Sequence, residues 1–178
     1  MAKLVVLLRG INVGGHGKVK MADLRSLLDD LGYDDVQTVV QTGNIVLSTG
    51  APPADVCGTI EKAMGAQLGV APKVMVRTKQ QFLKVLEANP YPEAAANPTT
   101  LHVAFLEDKP LASVIKAIDR KPFLPDTFEA SGREIYFHLP NGAGRTKLLG
   151  AVTEKRLGVA ATLRNWNTVT KLADLVNE

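Results

Sequence analysis

The chain has little of what marks a disulfide-rich or metal-binding protein. Its 178 residues include a single cysteine, Cys57, so no internal disulfide can form. Cys57 lies in a predicted helix among Ala, Val and Ile, which indicates a small core residue rather than a nucleophile. The three histidines, His16, His102 and His138, are isolated, and no H-x-x-x-H or Cys/His cluster is present. The sequence therefore predicts no metal site.

Long hydrophobic runs are also absent. No stretch approaches the roughly 20 apolar residues that a membrane-spanning helix needs. The first residues lead directly into a predicted strand and lack the cleavage pattern of a signal peptide. Hydrophobic residues make up 46% and charged residues 22%, a balance typical of soluble domains. We therefore expect a cytoplasmic protein with no membrane partner.

The hydrophobic pattern of the first half predicts a ferredoxin-like order, β-α-β-β-α-β. The predicted elements are a strand over 3–8, a helix over 24–31, a hairpin of strands over 36–41 and 44–48, a helix over 53–68 and a strand over 73–77. Thr42-Gly43 is a tight-turn signal within the hairpin. Thr78 and Gln81 form a capping-box pattern that begins a further helix.

The second half begins in the same order. The predicted elements are a strand over 101–106, a helix over 111–118, a hairpin over 127–130 and 134–139, and closing helices over 146–157 and 163–176. The fold class is thus α+β, with two small α/β subdomains, the second related to the first but ending in a helical pair. Prolines in 91–98 indicate a linker between subdomains at 1–90 and 99–178. A topological duplication stays a hypothesis, because no residue-level repeat is evident.

Charge is distributed unevenly along the chain. Residues 1–20 hold four bases and no acids, giving +4, and residues 141–178 hold six bases and three acids, giving +3. The middle, 21–140, holds eleven bases and fifteen acids, giving −4, so the sum is the net +3. Both basic ends contain glycine-rich loops, which points to an anionic ligand, although solvated surface charge is an alternative.

The opening loop, "LLRGINVGGHGK", resembles a phosphate-binding loop without matching one. A P-loop ending in Gly17-Lys18 would need glycine at Asn12 and Ser or Thr at Val19. The dinucleotide fingerprint fails because Lys20 occupies its third glycine position. Glycines, a following helix N-terminus and the cations Arg9 and Lys18 are nevertheless the components of an anion site. The alternative is a mobile connection with incidental lysines.

Residues 140–147, "PNGAGRTK", repeat these features after a later strand. Thr146 is placed to cap the next helix, and Arg145 and Lys147 flank it. A capped helix start with surface bases explains this loop equally well.

Two further stretches carry polar groups that could orient a ligand. In 162–168, Trp166 falls on a helical stripe and is predicted to pack in the core, whereas Arg164 and Asn167 suit hydrogen bonding. In the hairpin "QTGN", Gln41 and Asn44 are either turn formers or neutral donors and acceptors beside a ligand.

Aromatic residues are scarce, at 5%. RNA-recognition modules share the β-α-β-β-α-β order and stack bases on aromatics of their central strands. The predicted strands 4–8 and 44–48 contain none, so RNA binding would depend on the basic loops. No G-x-S-x-G motif or other catalytic signature is present, and the sequence identifies no cofactor.

The same stretches carry a family resemblance. "LLRGINVGG", "MADLRSLLDDLGY", "QTGN", "LHVAFL", "PNGAGRTKL" and "ATLRNWNTVTKL" resemble the bacterial proteins grouped as domain of unknown function family 1697, from the N-terminus to about Leu172. Thr42 replaces a serine that is commoner in that family's hairpin. The resemblance implies an α+β protein of two subdomains and implies no activity, cofactor or catalytic residue.

The first functional hypothesis is binding of a phosphate-bearing ligand, a nucleotide-like metabolite or nucleic acid. The alternatives are an enzyme of unknown reaction that uses the same cleft, and a structural protein that acts through partners. The residues predicted to contact the ligand are Arg9, Asn12, Gly14, Gly15, Lys18, Gln41, Asn44, Arg145, Lys147, Arg164 and Asn167. The oligomeric state and any catalytic residue are not predicted.

Overall fold

Two four-stranded antiparallel sheets organise the chain in the computed structural model, which describes residues 1–178. The chain divides into two units. Unit 1 comprises Met1–Lys84 with Thr170–Glu178, and unit 2 comprises Val85–Val169. The division into subdomains at 1–90 and 99–178 with a linker at 91–98 stays a prediction.

The first sheet has the predicted ferredoxin-like arrangement. The elements are β1 (Ala2–Leu8), α1 (Met21–Asp30), β2 (Asp34–Val39), β3 (Asn44–Thr49), α2 (Pro53–Leu68), β4 (Val74–Thr78) and α3 (Lys79–Glu87). The strand order is β2-β3-β1-β4, and β1 is antiparallel to both of its neighbours. The predicted β-α-β-β-α-β order is confirmed.

Alternation along β1 explains why this strand is central. Leu4, Val6 and Leu8 belong to the core under the helices, while Val5 and Leu7 are buried on the opposite face of the sheet. Helices cover the first of these faces with side chains at helical spacing. These are Leu24, Leu27 and Leu28 of α1 and Val56, Ile60 and Met64 of α2. A strand apolar on both faces is typical of the middle of a covered sheet.

The second sheet has the order β6-β7-β5-β8. The elements are two short 3-10 turns (Pro92–Ala96 and Pro98–Thr100), β5 (Leu101–Leu106), α4 (Ala112–Lys116), a 3-10 turn (Lys121–Phe123), β6 (Thr127–Ser131), β7 (Glu134–His138), α5 (Leu148–Ala151), α6 (Glu154–Leu157), β8 (Ala161–Asn165) and α7 (Trp166–Asn177). The predicted proline-rich linker is therefore part of unit 2 and largely a pair of 3-10 turns.

The bounds predicted for the closing pair of helices are wrong. The helix predicted over 146–157 is two short helices, because Thr153 caps α6 by accepting a hydrogen bond from the Arg156 amide at 3.3 Å. Residues 161–165 form β8, paired antiparallel with β5, so the helix predicted from Leu163 begins at Trp166. Leu163, the first residue of that predicted helix, instead packs on the unit 2 core as a residue of β8.

Because β8 replaces the start of that helix, the two units share one topology. Each last strand carries an arginine opposite a valine of the central strand, Arg77 opposite Val5 and Arg164 opposite Val103. The next residue caps the following helix in both units. Thr78 Oγ1 accepts from the Gln81 amide at 3.2 Å, and Asn165 Oδ1 accepts from the Thr168 amide at 2.9 Å. The hypothesis of a topological duplication agrees with this correspondence.

The helices of both units are short. The longest, α2, has 16 residues, and no helix combines the length and apolar character needed to cross a bilayer.

Candidate functional site

The opening loop is a small hydrogen-bonded hairpin. The His16 amide donates to the Val13 carbonyl at 3.0 Å, and Gly14 and Gly15 between them have φ of 59° and 78°. Two successive positive φ angles are the signature of a tight type I′ turn, which L-residues with side chains rarely adopt. A Cβ on Gly17 would overlap the Gly10 carbonyl. These glycines therefore shape a small hairpin at the surface, and the predicted contacts of Gly14 and Gly15 with an anion stay a prediction.

Asn12 holds this hairpin in place. Its Nδ2 donates to the Val19 carbonyl at 2.8 Å and to the Gln41 carbonyl at 2.6 Å, and its Oδ1 accepts from the Val19 amide at 2.8 Å. The residue has φ 54°, a left-handed conformation that asparagine tolerates better than most residues. One side chain thus joins the glycine hairpin, the residues before α1 and the "QTGN" turn.

A cleft of about 610 Å³ lies beside Asn12. Its lining residues are Asn12, Lys18, Val19, Lys20, Met21, Asp23, Gln41 and Leu68. The α1 helix begins in this cleft, and Lys20 before it makes no side-chain capping bond. The positive end of the helix dipole and two lysines therefore meet here, with one carboxylate, Asp23, in the first turn.

The cleft brings together three of the predicted residues of unit 1, Asn12, Lys18 and Gln41. Arg9 is exposed at the start of the loop, and its amide donates to the Lys73 carbonyl at 2.9 Å. Asn44 is buried, and its Nδ2 donates to the Val39 carbonyl and to Thr42 Oγ1, both at 3.0 Å. In this structure Asn44 stabilises its own turn.

The second glycine loop borders a separate cleft in unit 2, of about 470 Å³. Its lining residues are Pro122, Phe123, Leu124, Pro125, Asp126, Asn141, Arg145 and Lys147. Thr146 Oγ1 accepts from the Leu148 amide at 3.0 Å, but the residue before the four-residue helix α5 is Lys147, which makes no side-chain capping bond. The predicted helix cap by Thr146 is therefore wrong, because α5 begins one residue later than a Thr146 cap requires. The Thr146 hydroxyl also donates to Asp126 at 2.6 Å.

The remaining predicted residues of unit 2 lie on β8 and α7. Arg164 is buried, and its Nη1 donates to Thr162 Oγ1 at 2.6 Å and to the Leu163 carbonyl at 2.9 Å. Burial lowers the pKa of the Arg164 guanidinium to about 10, which leaves the group charged at neutral pH. Asn167 is exposed in the first turn of α7. Trp166 is 6% exposed, so its predicted packing in the core is confirmed.

Sequence reasoning missed the apolar walls of both clefts. These wall residues carry no charge, and Leu68 in unit 1 and 122–125 in unit 2 are distant in sequence from the loops they face. Met21 lies only three residues after Lys18. In the sequence, Pro122 to Pro125 stand out only because these four successive apolar residues belong to no predicted helix or strand.

His102 of unit 2 is a buried titratable group that the clefts do not use. Its Nδ1 has no hydrogen-bond partner, and desolvation lowers the pKa of this imidazole from the usual 6.5. The unfolded chain therefore takes up a proton near the usual pKa while the folded chain stays neutral. We expect the free energy of unfolding to be highest above this range and to fall as pH drops from about 7.5 to about 5.5, by at most about 1.4 kcal/mol per pH unit.

Urea unfolding at these pH values tests the His102 prediction. The His102→Gln variant should lose the pH-dependent part, whereas His16→Gln, which changes an exposed histidine, should retain it. An unchanged pH slope in His102→Gln would contradict the assignment.

Comparison with known proteins supports the fold. No curated protein matches the chain. One similar solved structure is described as "The structure of conserved bacterial protein SP0830 from Streptococcus pneumoniae". It is 21% identical, with a TM-score of 0.76 over 98% of each chain, and at this identity the likeness shows the fold alone.

A family model described as "Protein of unknown function (DUF1697)" matches residues 1–136. That range contains the glycine hairpin, the unit 1 cleft and the strands β1 to β6, and it ends before the second glycine loop. The resemblance seen in the sequence is thus confirmed over about three quarters of the chain, which belongs to the DUF1697 family of proteins of unknown function.

Proposed function

We propose that this protein binds a phosphate-bearing ligand, a nucleotide-like metabolite or nucleic acid, through its basic loops. The observation that carries the proposal is the unit 1 cleft, in which Lys18 and Lys20 stand at the uncapped start of α1. Helix N-termini favour anions because their first amides have no intrahelical acceptor, and lysines add full positive charge.

The hydrogen bonds of Asn12 favour a preformed site. Both Nδ2 hydrogens and Oδ1 are engaged by Val19 and Gln41, so Asn12 positions the cleft walls rather than contacting the anion. A rigid site loses less conformational entropy when a ligand binds. The volume of about 610 Å³ is in the range of small-molecule sites.

The apolar part of the cleft gives the ligand a second region of contact. Met21 and Leu68 line it together with the lysines. An anionic group on Lys18 and Lys20 would thus be accompanied by a less polar group on these two side chains, as in a nucleotide. Gln41 is exposed at the rim and supplies an amide that can select orientation.

The proposal is tested by thermal shift and titration calorimetry at about 50 and 150 mM salt. The probes are ATP, glucose 6-phosphate, short RNA and short DNA. We expect Lys18→Ala and Lys20→Ala each to weaken binding roughly fivefold or more, and salt to weaken it too. Lys62→Ala removes the same charge from an exposed position on α2 and should bind like the parent. Absence of binding, or binding that neither cleft variant changes, would contradict the proposal.

Arg145→Ala and Lys147→Ala separate two versions of the hypothesis. If the second glycine loop also takes part in phosphate binding, these variants should weaken binding of the same phosphate-bearing probes. If they do not, the phosphate-bearing ligand belongs to unit 1 alone.

A second candidate function, an enzyme of unknown reaction, is favoured by one observation. Asp23 places a carboxylate among the cleft lysines, where it could act as a general base on a bound substrate. If a ligand identified above is consumed, Asp23→Asn should retain binding and lose turnover. Turnover that survives in Asp23→Asn would remove this role.

A further inference from the structure

The cleft of unit 2 differs chemically from that of unit 1. One wall is a ledge of four successive apolar residues, Pro122 to Pro125, in which the Leu124 side chain is 63% exposed. Phe123 is partly buried and packs against the core of unit 2, which holds the ledge in place. The other wall is polar and comes from the loop after β7, with Asn141, Arg145 and Lys147.

A short hydrogen-bond chain joins the two walls. The Thr146 hydroxyl donates to Asp126 at 2.6 Å, and the Asp126 amide donates to the Phe123 carbonyl at 2.9 Å. Thr146 stands between the two cations in sequence, and Asp126 directly follows the ledge. The spacing between the apolar ledge and the cations is therefore fixed by contacts within the protein.

The charge of this cleft is suited to a single negative group. Arg145 and Lys147 bring two positive charges, and Asp126 offsets one of them. A guanidinium pairs with a carboxylate through two parallel hydrogen bonds, and the planar shapes match. The exposed apolar ledge favours a ligand whose charged head is joined to an apolar body, because burying Leu124 removes apolar surface from water.

We infer that this cleft binds a small organic acid, a carboxylate attached to an apolar ring or chain. Arg145 and Lys147 hold the carboxylate, Asn141 orients it, and the ledge at 122–125 contacts the apolar body. The volume of about 470 Å³ accommodates such a molecule. This site is separate in its chemistry from the phosphate site proposed for unit 1.

Three matched probes test the inference on the full chain by ¹H–¹⁵N NMR titration. The first, 3-phenylpropionate, carries both groups; acetate lacks the apolar body, and 3-phenyl-1-propanol lacks the charge. We expect 3-phenylpropionate to bind, with the chemical-shift changes concentrated on the backbone amides of the non-proline residues in 122–126 and 141–147. Each of the other two probes should bind at least about tenfold more weakly.

Variants locate the two contacts independently. Arg145→Ala should weaken 3-phenylpropionate binding roughly tenfold, and Leu124→Ser roughly threefold. The controls are Lys155→Ala, a base on the exposed side of α6, and Leu111→Ser, a leucine that is 70% exposed; both should bind as the parent does. Preserved spectra outside the cleft show that each variant is folded.

Three results would overturn the inference: no binding of 3-phenylpropionate at about 10 mM, a probe concentration well above a millimolar affinity; equal binding of acetate or of the alcohol; or shifts that avoid the ledge. These results do not affect the phosphate site of the unit 1 cleft, because Lys18→Ala and the phosphate-bearing probes report on unit 1 separately.

Discussion

Gly43→Ala should lower the free energy of unfolding by about 3 kcal/mol. Gly43 has φ 77°, where an alanine costs about 1–2 kcal/mol. The added Cβ would lie 2.6 Å from Leu8 Cβ and 3.4 Å from Ile11 Cβ, in the buried turn where the Gly43 carbonyl accepts from the Leu8 amide. Overpacking of this kind adds about 1–3 kcal/mol, because β1 cannot move without disturbing both of its neighbouring strands.

Gly132→Ala is the matched control for Gly43→Ala. Gly132 also occupies a hairpin turn with positive φ, at 61°, but its added Cβ would meet only the end of the Glu134 side chain, at 4.0 Å. We expect a loss of only about 1 kcal/mol there. Equal losses in the two variants, measured by urea unfolding, would show that contact with Leu8 contributes nothing.

Asn12→Ala should have an effect of similar size, a loss of about 3 kcal/mol, for a different reason. The substitution removes three side-chain hydrogen bonds, of which two satisfy the amide and carbonyl of Val19, a residue that is 9% exposed. The three lost bonds together cost about 2 kcal/mol, and the left-handed backbone at φ 54° costs alanine about 1 kcal/mol more than asparagine. The affinity of the unit 1 cleft for its ligand should fall as well, because Gln41 and Val19 are no longer held together by hydrogen bonds to Asn12.

Asn12→Gly separates the two contributions to that loss. Glycine accepts the left-handed backbone but makes no side-chain bond, so its cost should be about 2 kcal/mol, the part due to hydrogen bonding. Parental stability in Asn12→Gly would mean that the three bonds are replaced by water without loss. The hydrogen exchange of the Val19 amide is the local readout, and it should accelerate in both variants.

The elements predicted from sequence were those that local physics determines. The capping box of Thr78 and Gln81 is present with both of its bonds, at 3.0 and 3.2 Å, and the hairpin at Thr42-Gly43 has its positive φ. These signals act over a few residues, so the sequence contains them completely.

The element that was predicted wrongly, β8, depends on pairing with a strand that is distant in sequence, β5. Thr162 to Asn165 form a strand because β5 lies beside them, and the same residues fit the start of a helix in isolation. Helical spacing could not reveal the edge position that β8 fills, since that position exists only once the rest of the sheet has formed.

The candidate sites were predictable in their charges and not in their organisation. The positive charges of Lys18, Arg145 and Lys147 were identified from the sequence. The role of Asn12 was not, because its partner Gln41 lies in a different hairpin, and the ledge at 122–125 was not, because apolar loop residues resemble ordinary surface.

The shared topology of the two units makes their connections directly comparable. In unit 1 the connection after the central strand is long and contains the glycine hairpin, while the corresponding connection in unit 2 is the short segment 107–111. In unit 2 the longer connection follows the third strand, at 139–147, whereas the corresponding connection in unit 1 is only 50–52. One cleft thus lies where the central strand β1 finishes, and the other where β5 begins. The two clefts therefore lie at non-equivalent connections of one topology, so a substitution in one cleft has no equivalent position in the other.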